Sequence, residues 1–521
     1  MALKSYAKMD KKSQLQDTIN WSGVEIFVLT VYIFSLFLGL WHAFPNMDVV
    51  SDESGPYVWN VLDAFKAGTV VPHMDYSYTI SFYINYIIMG LVGLLFFGGD
   101  IASLASYVGY RDTYLLLLPR LATVIVTILL LVLFLRLVQR QTKSLASRLS
   151  LVVLVFTDII FVVIAHTGKM WLFSLFLFFA SFYFLTEAFR RYQELAKLSW
   201  YRSPILHSII FAFLAFANFP FNIIALLNVV YIYYFFYHQL QPLRKLINLA
   251  TLAGLAIFVL TFLLNRHGWS AQNSLTPTGS LELLPTFIFR YLIEGSYSLM
   301  PLLLVSLFLN TRRIVEKRLF WITSSYLLSY LLLLAFRATW IGPEASSYWR
   351  YLLYPTFFVG TMLLFTEVRS RYVLYLCVLV SLVFFVKTIY LLAVPTTYNI
   401  MLEYVKGMDL ENSLLVNRVP QLDIHWRKGP EGLGYIVAKN DVNVPQIRDE
   451  VTKLTDAQKY RGSYLISEEQ ADYRLIYKAD NNFPDNYYAS IENNLGPYDY
   501  RLLLLNRLGK PLYLYDFSSP K

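Results

Sequence analysis

The sequence has a single cysteine, Cys377, and few charged residues for its length of 521. One cysteine excludes an intramolecular disulfide and any metal cluster built on cysteines. Because Cys377 lies within an apolar run, we expect it to be a small buried side chain. Charged residues make up 15% of the chain, against roughly 25% in an average soluble domain, so the composition argues against a soluble globular protein.

Several motifs of soluble enzymes are also missing. The sequence has no glycine-rich phosphate loop, no paired His/Cys metal spacing and no GxSxG nucleophile elbow. The glycines of GLVGLLFFGG, at 90–99, fit close helix packing better than a nucleotide loop. The net charge of +9 does not indicate nucleic-acid binding, because the basic residues are grouped between apolar segments.

Long apolar runs are what the sequence has in abundance. Hydrophobic residues make up 56% of the chain and the mean hydropathy is +0.47. Windows such as 114–135, 171–189 and 372–393 hold roughly 18 or more nearly uncharged residues, enough to span about 30 Å of hydrocarbon as a helix. The first run, 24–43, has a basic flank but no small-residue cleavage site, so we expect a retained helix. The sequence predicts a polytopic α-helical membrane protein.

The topology follows from the tendency of short loops rich in Lys and Arg to stay in the cytoplasm. Basic residues group at the N-terminus and near 136–148, 190–202, 244–245, 312–318 and 369–371. Placing these groups inside gives about eleven crossings, with the N-terminus cytoplasmic and the C-terminus outside. The predicted crossings are 24–43, 114–135, 149–166, 171–189, 204–217, 221–238, 246–264, 286–309, 319–336, 350–366 and 372–393.

One further apolar segment, 79–98, breaks this alternation if it also crosses. We therefore predict an interfacial or re-entrant helix on the outer face, with a true crossing as the alternative, and one long external loop over 44–113. After residue 395 charged residues, Asn, Pro and Gly become frequent. The predicted organisation is a transmembrane domain, 1–395, followed by a small external soluble α/β domain, 396–521, with strands near 413, 464, 474 and 512.

Ionisable residues near the predicted outer edge are candidates for function, because charge at membrane depth is costly. An acidic pair, Asp52 and Glu53, follows the first crossing, although with Ser51 as a cap it also fits an ordinary solvated helix start. Other candidates carry the same kind of alternative: a histidine at a helix end is often structural, an Arg-Tyr pair can anchor at headgroups, and Asp158 fits a packing role. The remaining candidates are Arg120, His166, Lys169, Arg337, Arg350 and Tyr351.

The order of these elements resembles that of the C-type glycosyltransferases, the GT-C superfamily, over roughly residues 20–395. Members of that superfamily have a first helix followed by an external Asp-Glu pair, an external loop with amphipathic segments, and a helix with an outer arginine, here LLPRLATVIVTIL with Arg120. A histidine-containing stretch follows, here AHTGKMW with His166, and then a late element matched by WRYLLYPTFFVG with Arg350 and Tyr351. Many members carry an acidic residue shortly after the histidine, where this chain has Lys169.

The resemblance implies a sugar donor linked through phosphate to a polyprenyl lipid, and an external glycan, lipid or protein acceptor. Asp52 would deprotonate the acceptor, with inversion at the sugar carbon, and Glu53 would orient the acceptor or Asp52. Cations drawn from Arg120, Lys169, Arg337 and Arg350 would neutralise the leaving phosphate. Some members need a divalent metal held by acidic residues and others do not, so the resemblance leaves a metal open. The enzyme would be a multi-pass protein of the plasma (inner) membrane.

Two other functions fit a polytopic chain of this kind. A transporter or flippase of lipid-linked sugars would also be basic near phosphate, but transporters place key polar residues near mid-membrane between related halves, and this sequence shows no internal repeat. A non-catalytic scaffold would use its external domain to recruit partners.

Overall fold

The chain folds into a bundle of apolar helices followed by a small sheet. The computed structural model describes residues 21–41, 58, 60–72, 79–104, 117–142, 144–168, 171–192, 194–264, 285, 299–314, 318–336, 353–366, 371–408, 413–419, 436–437, 462–480 and 511–520. The α-helices are α1 (Gly23–Phe37), α2 (Asn60–Lys66), α3 (Thr79–Phe97), α4 (Leu117–Gln141), α5 (Leu145–Phe156), α6 (Ile159–Ala165), α7 (Trp171–Arg190), α8 (Pro204–Asn218), α9 (Leu226–Ile232), α10 (Arg244–Leu264), α11 (Leu299–Ile314), α12 (Arg318–Phe336), α13 (Leu353–Leu364), α14 (Arg371–Ala393) and α15 (Thr397–Lys406).

The helices account for the predicted membrane crossings. Six described helices, α3 among them, are long and apolar enough to span a bilayer, and the bent pair α5–α6 would make a seventh. Five shorter apolar helices accompany them. Apart from α3, each overlaps one predicted crossing, so the prediction of a polytopic helical membrane protein is confirmed. Within 286–309 the described helix α11 begins only at Leu299.

The predicted single helix over 149–166 is wrong, because α5 and α6 meet at an angle of 64°. The carboxylate of Asp158 accepts from the Ile160 N–H at 3.0 Å and caps α6. Just before it, the Thr157 hydroxyl bonds the Val153 carbonyl and lies 2.8 Å from the Ser381 hydroxyl of α14. Side-chain bonds to local backbone groups compete with a continuous helix, and here they end one helix and start the next.

The helix α3 corresponds to the segment for which an interfacial position is predicted. Arg120, in the first turn of α4, bonds the backbone of Leu40 just after α1, so the end of α1 and the start of α4 lie on the same side of the bundle. The chain between them must cross the membrane an even number of times. Its described residues hold no second helix as long as α3. These contacts favour the interfacial position, which stays a prediction.

The described part of the segment between α1 and α4 has an apolar cluster of its own. Val58 and α2 pack with the first half of α3, with Leu104 and with Leu118 of α4. Phe65 lies against Tyr86, with ring centroids 4.2 Å apart, and close to Gly90, where a Cβ would meet the Phe65 ring at 3.3 Å. The cluster therefore attaches this segment to the start of α4.

The C-terminal part forms a mixed five-stranded sheet with α15 packed against it. Its strands are β1 (Ser413–Asn417), β2 (Ile436–Val437), β3 (Gly462–Ser467), β4 (Tyr473–Ala479) and β5 (Leu512–Pro520), in the order β2-β1-β3-β5-β4. β1 pairs in parallel with β2 and β3, whereas β5 pairs antiparallel with β3 and β4. The four predicted strands coincide with β1, β3, β4 and β5, and the small α/β unit is confirmed.

Candidate functional site

The ends of four membrane helices meet at one end of the bundle, which we call the site end. Gly39 follows α1 with a φ of +86°, a conformation that favours glycine. A Cβ at this position would come within 2.8 Å of Leu392 near the end of α14. Because of Gly39, the backbone turns sharply where it leaves α1. The start of α4, which carries Arg120, and the end of α6, which carries His166, lie at the same end of the bundle.

Arg120 is fully buried, although arginine is rarely buried unless it is paired. Its guanidinium donates from Nη1 to the carbonyl of Leu40 at 2.5 Å. Leu118, two residues earlier, packs on the cluster that contains Val58. Arg120 therefore holds the end of α1 against the start of α4.

His166 is the C-cap of α6 and is also buried. Its Nδ1 lies 2.7 Å from the Val162 carbonyl, so Nδ1 carries a hydrogen and donates. The ring lies near backbone groups of Ser35 and Leu38 at the end of α1, and it interacts electrostatically with Arg120. Among the described residues, Nε2 has no hydrogen-bond partner. His166 and Arg120, which were predicted from separate motifs, therefore both lie beside the turn that follows α1.

A half-open, mostly apolar cavity of about 30 Å³ lies beside this pair. It is formed by α3, the first turns of α4, the start of α7 and the residue two after His166. The lining side chains are Ser81, Ile84, Asn85, Pro119, Ala122, Thr123, Val126, Gly168 and Phe173.

Sequence reasoning missed a buried polar cluster next to the cavity. The backbone and hydroxyl of Ser81 donate to Oδ1 of Asn218 at 3.0 and 3.2 Å, and the Asn218 amide donates to Ser174 at 2.6 Å. Asn222 donates to the Ser174 carbonyl at 3.2 Å, and Tyr354 lies beside both Asn222 and Ser174. The two asparagines of the ANFPFN turn at 217–222, between apolar helices, were the signal.

The other predicted site residues lie outside the described residues: Asp52, Glu53, Lys169, Arg337, Arg350 and Tyr351. Three of these residues are close in sequence to described residues of the site. Lys169 follows Gly168 of the cavity wall, and Arg350 and Tyr351 come just before α13. Within the described part of the chain no group of three His, Cys, Asp or Glu side chains could hold a metal ion.

Comparison with known proteins gave one similarity of fold. No family model and no curated protein matches the chain. Among solved structures, it is similar to the crystal structure of ArnT from Cupriavidus metallidurans bound to undecaprenyl phosphate, with 12% sequence identity and a TM-score of 0.45. The similarity covers 96% of this chain and 100% of the other.

Proposed function

We propose that this protein is a C-type glycosyltransferase that takes a sugar from a polyprenyl-phosphate carrier and transfers it to an acceptor at the site end. The observation that carries the proposal is that the residues on both sides of the acidic pair, Asp52 and Glu53, are held near Arg120. Leu40, before Asp52 and Glu53, is bonded to Arg120. Val58, after them, shares an apolar cluster with Leu118. Both ends of the acidic segment are therefore attached within one turn of Arg120.

In the proposed chemistry the acidic pair activates the acceptor and basic residues neutralise the phosphate of the donor. Asp52 takes the proton from an acceptor hydroxyl, and the oxygen attacks the sugar carbon from the face opposite the phosphate. The bond from that carbon to the phosphate oxygen breaks, its electron pair stays on the polyprenyl phosphate, and the configuration inverts. Lys169, Arg337 and Arg350, which the resemblance assigns to the phosphate, would stabilise the charge that builds on it.

Two described residues then have supporting roles. Because the guanidinium of Arg120 donates to Leu40, we assign it first to positioning the exit of α1, and only through that to the acidic pair. His166, with Nδ1 held by Val162, presents Nε2 toward the end of α1.

The test uses the full chain reconstituted in liposomes that contain an extract of polyprenyl-linked sugars. A glycosyltransferase releases free polyprenyl phosphate and labels an acceptor, whereas a flippase moves the lipid across the bilayer without cleaving it. Asp52→Asn should abolish transfer at normal expression. The matched control is Asp63→Asn in the same loop, since Asp63 is half-exposed and paired only loosely with Lys66, at 3.8 Å. Full transfer by Asp52→Asn would refute its assignment as the base.

A further inference from the structure

The ANFPFN stretch at 217–222 places two buried asparagines where α8 ends. Phe219 is extended, as a residue before proline tends to be, so α8 stops at Asn218. The side chain of Asn222 then reaches back and donates to the carbonyl of Ala215, in the last turn of α8, at 3.1 Å. The stretch therefore forms a tight turn with two amide side chains inside the bundle.

Asn218 caps α3, which lies far earlier in the chain. A helix leaves the N–H groups of its first turn without partners inside the helix. One of these, the N–H of Ser81, donates to Oδ1 of Asn218 at 3.0 Å. The Ser81 hydroxyl donates to the same oxygen at 3.2 Å, and a carbonyl oxygen has two lone pairs to accept both. The first turn of α3 is therefore fixed against the end of α8.

The amide nitrogens of both asparagines bind the first turn of α7. Asn218 donates to the hydroxyl of Ser174 at 2.6 Å, and Asn222 donates to the carbonyl of the same residue at 3.2 Å. At the start of α7, Trp171 packs edge-on against Phe219, with ring centroids 4.8 Å apart. The start of α7 is thus held to the same turn as the start of α3.

The start of α13 lies against the same group. Tyr354 is fully buried beside the side chains of Asn222 and Ser174. Its ring stacks on Tyr330 of α12, with centroids 5.1 Å apart and an angle of 11° between the planes. We call these buried, uncharged residues the asparagine cluster: Ser81, Ser174, Asn218, Asn222 and Tyr354.

The asparagine cluster joins the three parts of the chain on which the proposed reaction depends. α3 shares an apolar cluster with Val58, six residues after Asp52. α7 begins two residues after Lys169, and α13 begins three residues after Arg350. A misplacement of about 1 Å can slow an enzyme about 100-fold, so contacts that fix these helices relative to one another affect the rate.

We propose that Asn218 and Asn222 are positioning residues of the transfer reaction. They hold α3, α7 and α13 in the arrangement that brings the acidic pair and the phosphate-binding cations together. Buried hydrogen-bond networks make one packing of the surrounding helices more favourable than others. The amides carry no charge, so they neither move the proton nor neutralise the phosphate. This inference rests on the proposed function.

The experiment compares matched variants in the liposome assay, with the release of polyprenyl phosphate measured over a range of concentrations of the sugar-lipid extract. Asn218→Leu removes the central amide of the cluster. The control, Asn228→Leu, removes a comparably buried asparagine that donates to Ser181 of α7 at 2.8 Å and accepts from Tyr326 of α12. Ser181 is seven residues beyond Ser174 on the same helix, or about 10 Å farther from the site end.

Asn218→Leu should lower kcat about 100-fold and leave the KM for the extract unchanged, since the cluster does not touch the donor. Equal losses in kcat and kcat/KM are typical of an effect on the transition state alone. Asn228→Leu should lower the thermal unfolding midpoint as Asn218→Leu does, but its kcat and KM should equal those of the wild type.

A second pair serves if Asn218→Leu does not fold. Ser174→Ala and Ser181→Ala each remove one buried hydroxyl of α7 that accepts from an asparagine, at 2.6 and 2.8 Å. Ser174→Ala should lower kcat, by less than Asn218→Leu would, whereas Ser181→Ala should keep the kcat of the wild type.

Three results would overturn the proposal. The first is a wild-type kcat in Asn218→Leu or, if that variant does not fold, in Ser174→Ala. The second is an equal loss of kcat in the control of either pair, as expected of asparagines that only stabilise the fold. The third is a higher KM at unchanged kcat, which would make Asn218 a donor-binding residue. A failure of the proposed function looks different, because the wild type itself would release no polyprenyl phosphate.

Discussion

Replacing Arg120 by methionine should release the end of α1 from α4. Methionine keeps an unbranched side chain of similar length but removes the charge and the donor to the Leu40 carbonyl. The exit from α1 has few other local bonds: the N–H of Leu38 reaches Ser35 at 3.2 Å and the N–H of Leu40 reaches Phe37 at 3.4 Å. These weak bonds should open more often once Arg120 is gone.

The size of the effect follows from the bond that is lost. A hydrogen bond that involves a charged group contributes about 1.5–3 kcal/mol. At room temperature that range corresponds to an increase of about 10- to 150-fold in the local opening equilibrium. The whole protein need not unfold, because the change is confined to the turn after α1.

Hydrogen exchange of backbone amides measures this opening, in peptides that cover residues 35–41. The matched control is Arg148→Met, because Arg148 holds the opposite end of the same helix. Its Nε lies 2.8 Å from the fully buried carboxylate of Glu25, which also closes a capping box with Ser22. That variant should speed exchange near the start of α1 and leave 35–41 unchanged.

Two results would refute this reasoning. If Arg120→Met leaves exchange over 35–41 at the wild-type rate, the bond to Leu40 does not hold the turn. If Arg148→Met speeds exchange there equally, α1 opens as a unit and neither arginine acts locally. In both cases the positioning role proposed for Arg120 would be lost.

Three further substitutions test how the helices meet, each by thermal unfolding in detergent. Gly39→Ala should destabilise the protein by about 1–2 kcal/mol through its positive φ alone, with an added clash against Leu392; an unchanged midpoint would show that the turn relaxes freely. Asp158→Ala should lower stability by about 1 kcal/mol by removing the cap of α6, whereas Asp158→Asn should keep it; equal losses would exclude capping as its role. Gly360→Ala would place a Cβ 2.4 Å from Val155 and should destabilise, and the loss should be partly recovered when Val155 is replaced by alanine as well; simple addition of the two losses would contradict direct packing.

The membrane helices could be predicted because hydropathy reports the length of hydrocarbon that a segment must cross. The bend between α5 and α6 could not. The run from 149 to 166 is apolar except near Thr157 and Asp158, and a polar pair within a long apolar run fits a continuous helix as well as a broken one. In the structure the Asp158 side chain caps α6, and the Thr157 hydroxyl also contacts Ser381, more than 200 residues away, a contact that the local sequence does not reveal.

The candidate site was predicted in part. The resemblance to the C-type glycosyltransferases gave the order of Arg120 and His166, and the structure brings them together. It did not predict that Arg120 would donate to a backbone carbonyl, because every residue carries the same carbonyl and the sequence holds no sign of which one is used. The link from Ser81 to Asn218 was missed for a related reason: short polar side chains in apolar helices are common, and only the tertiary packing pairs them.

The central claim is that this protein transfers a lipid-linked sugar with Asp52 as the base. Mass spectrometry of cell-envelope glycans tests it most directly. The comparison is between a deletion strain complemented with the wild type and the same strain complemented with Asp52→Asn at equal membrane levels. We expect the wild type to restore a sugar that the deletion strain lacks, and Asp52→Asn to leave it absent. Restoration of that sugar by Asp52→Asn, or its presence in the deletion strain, would contradict the claim.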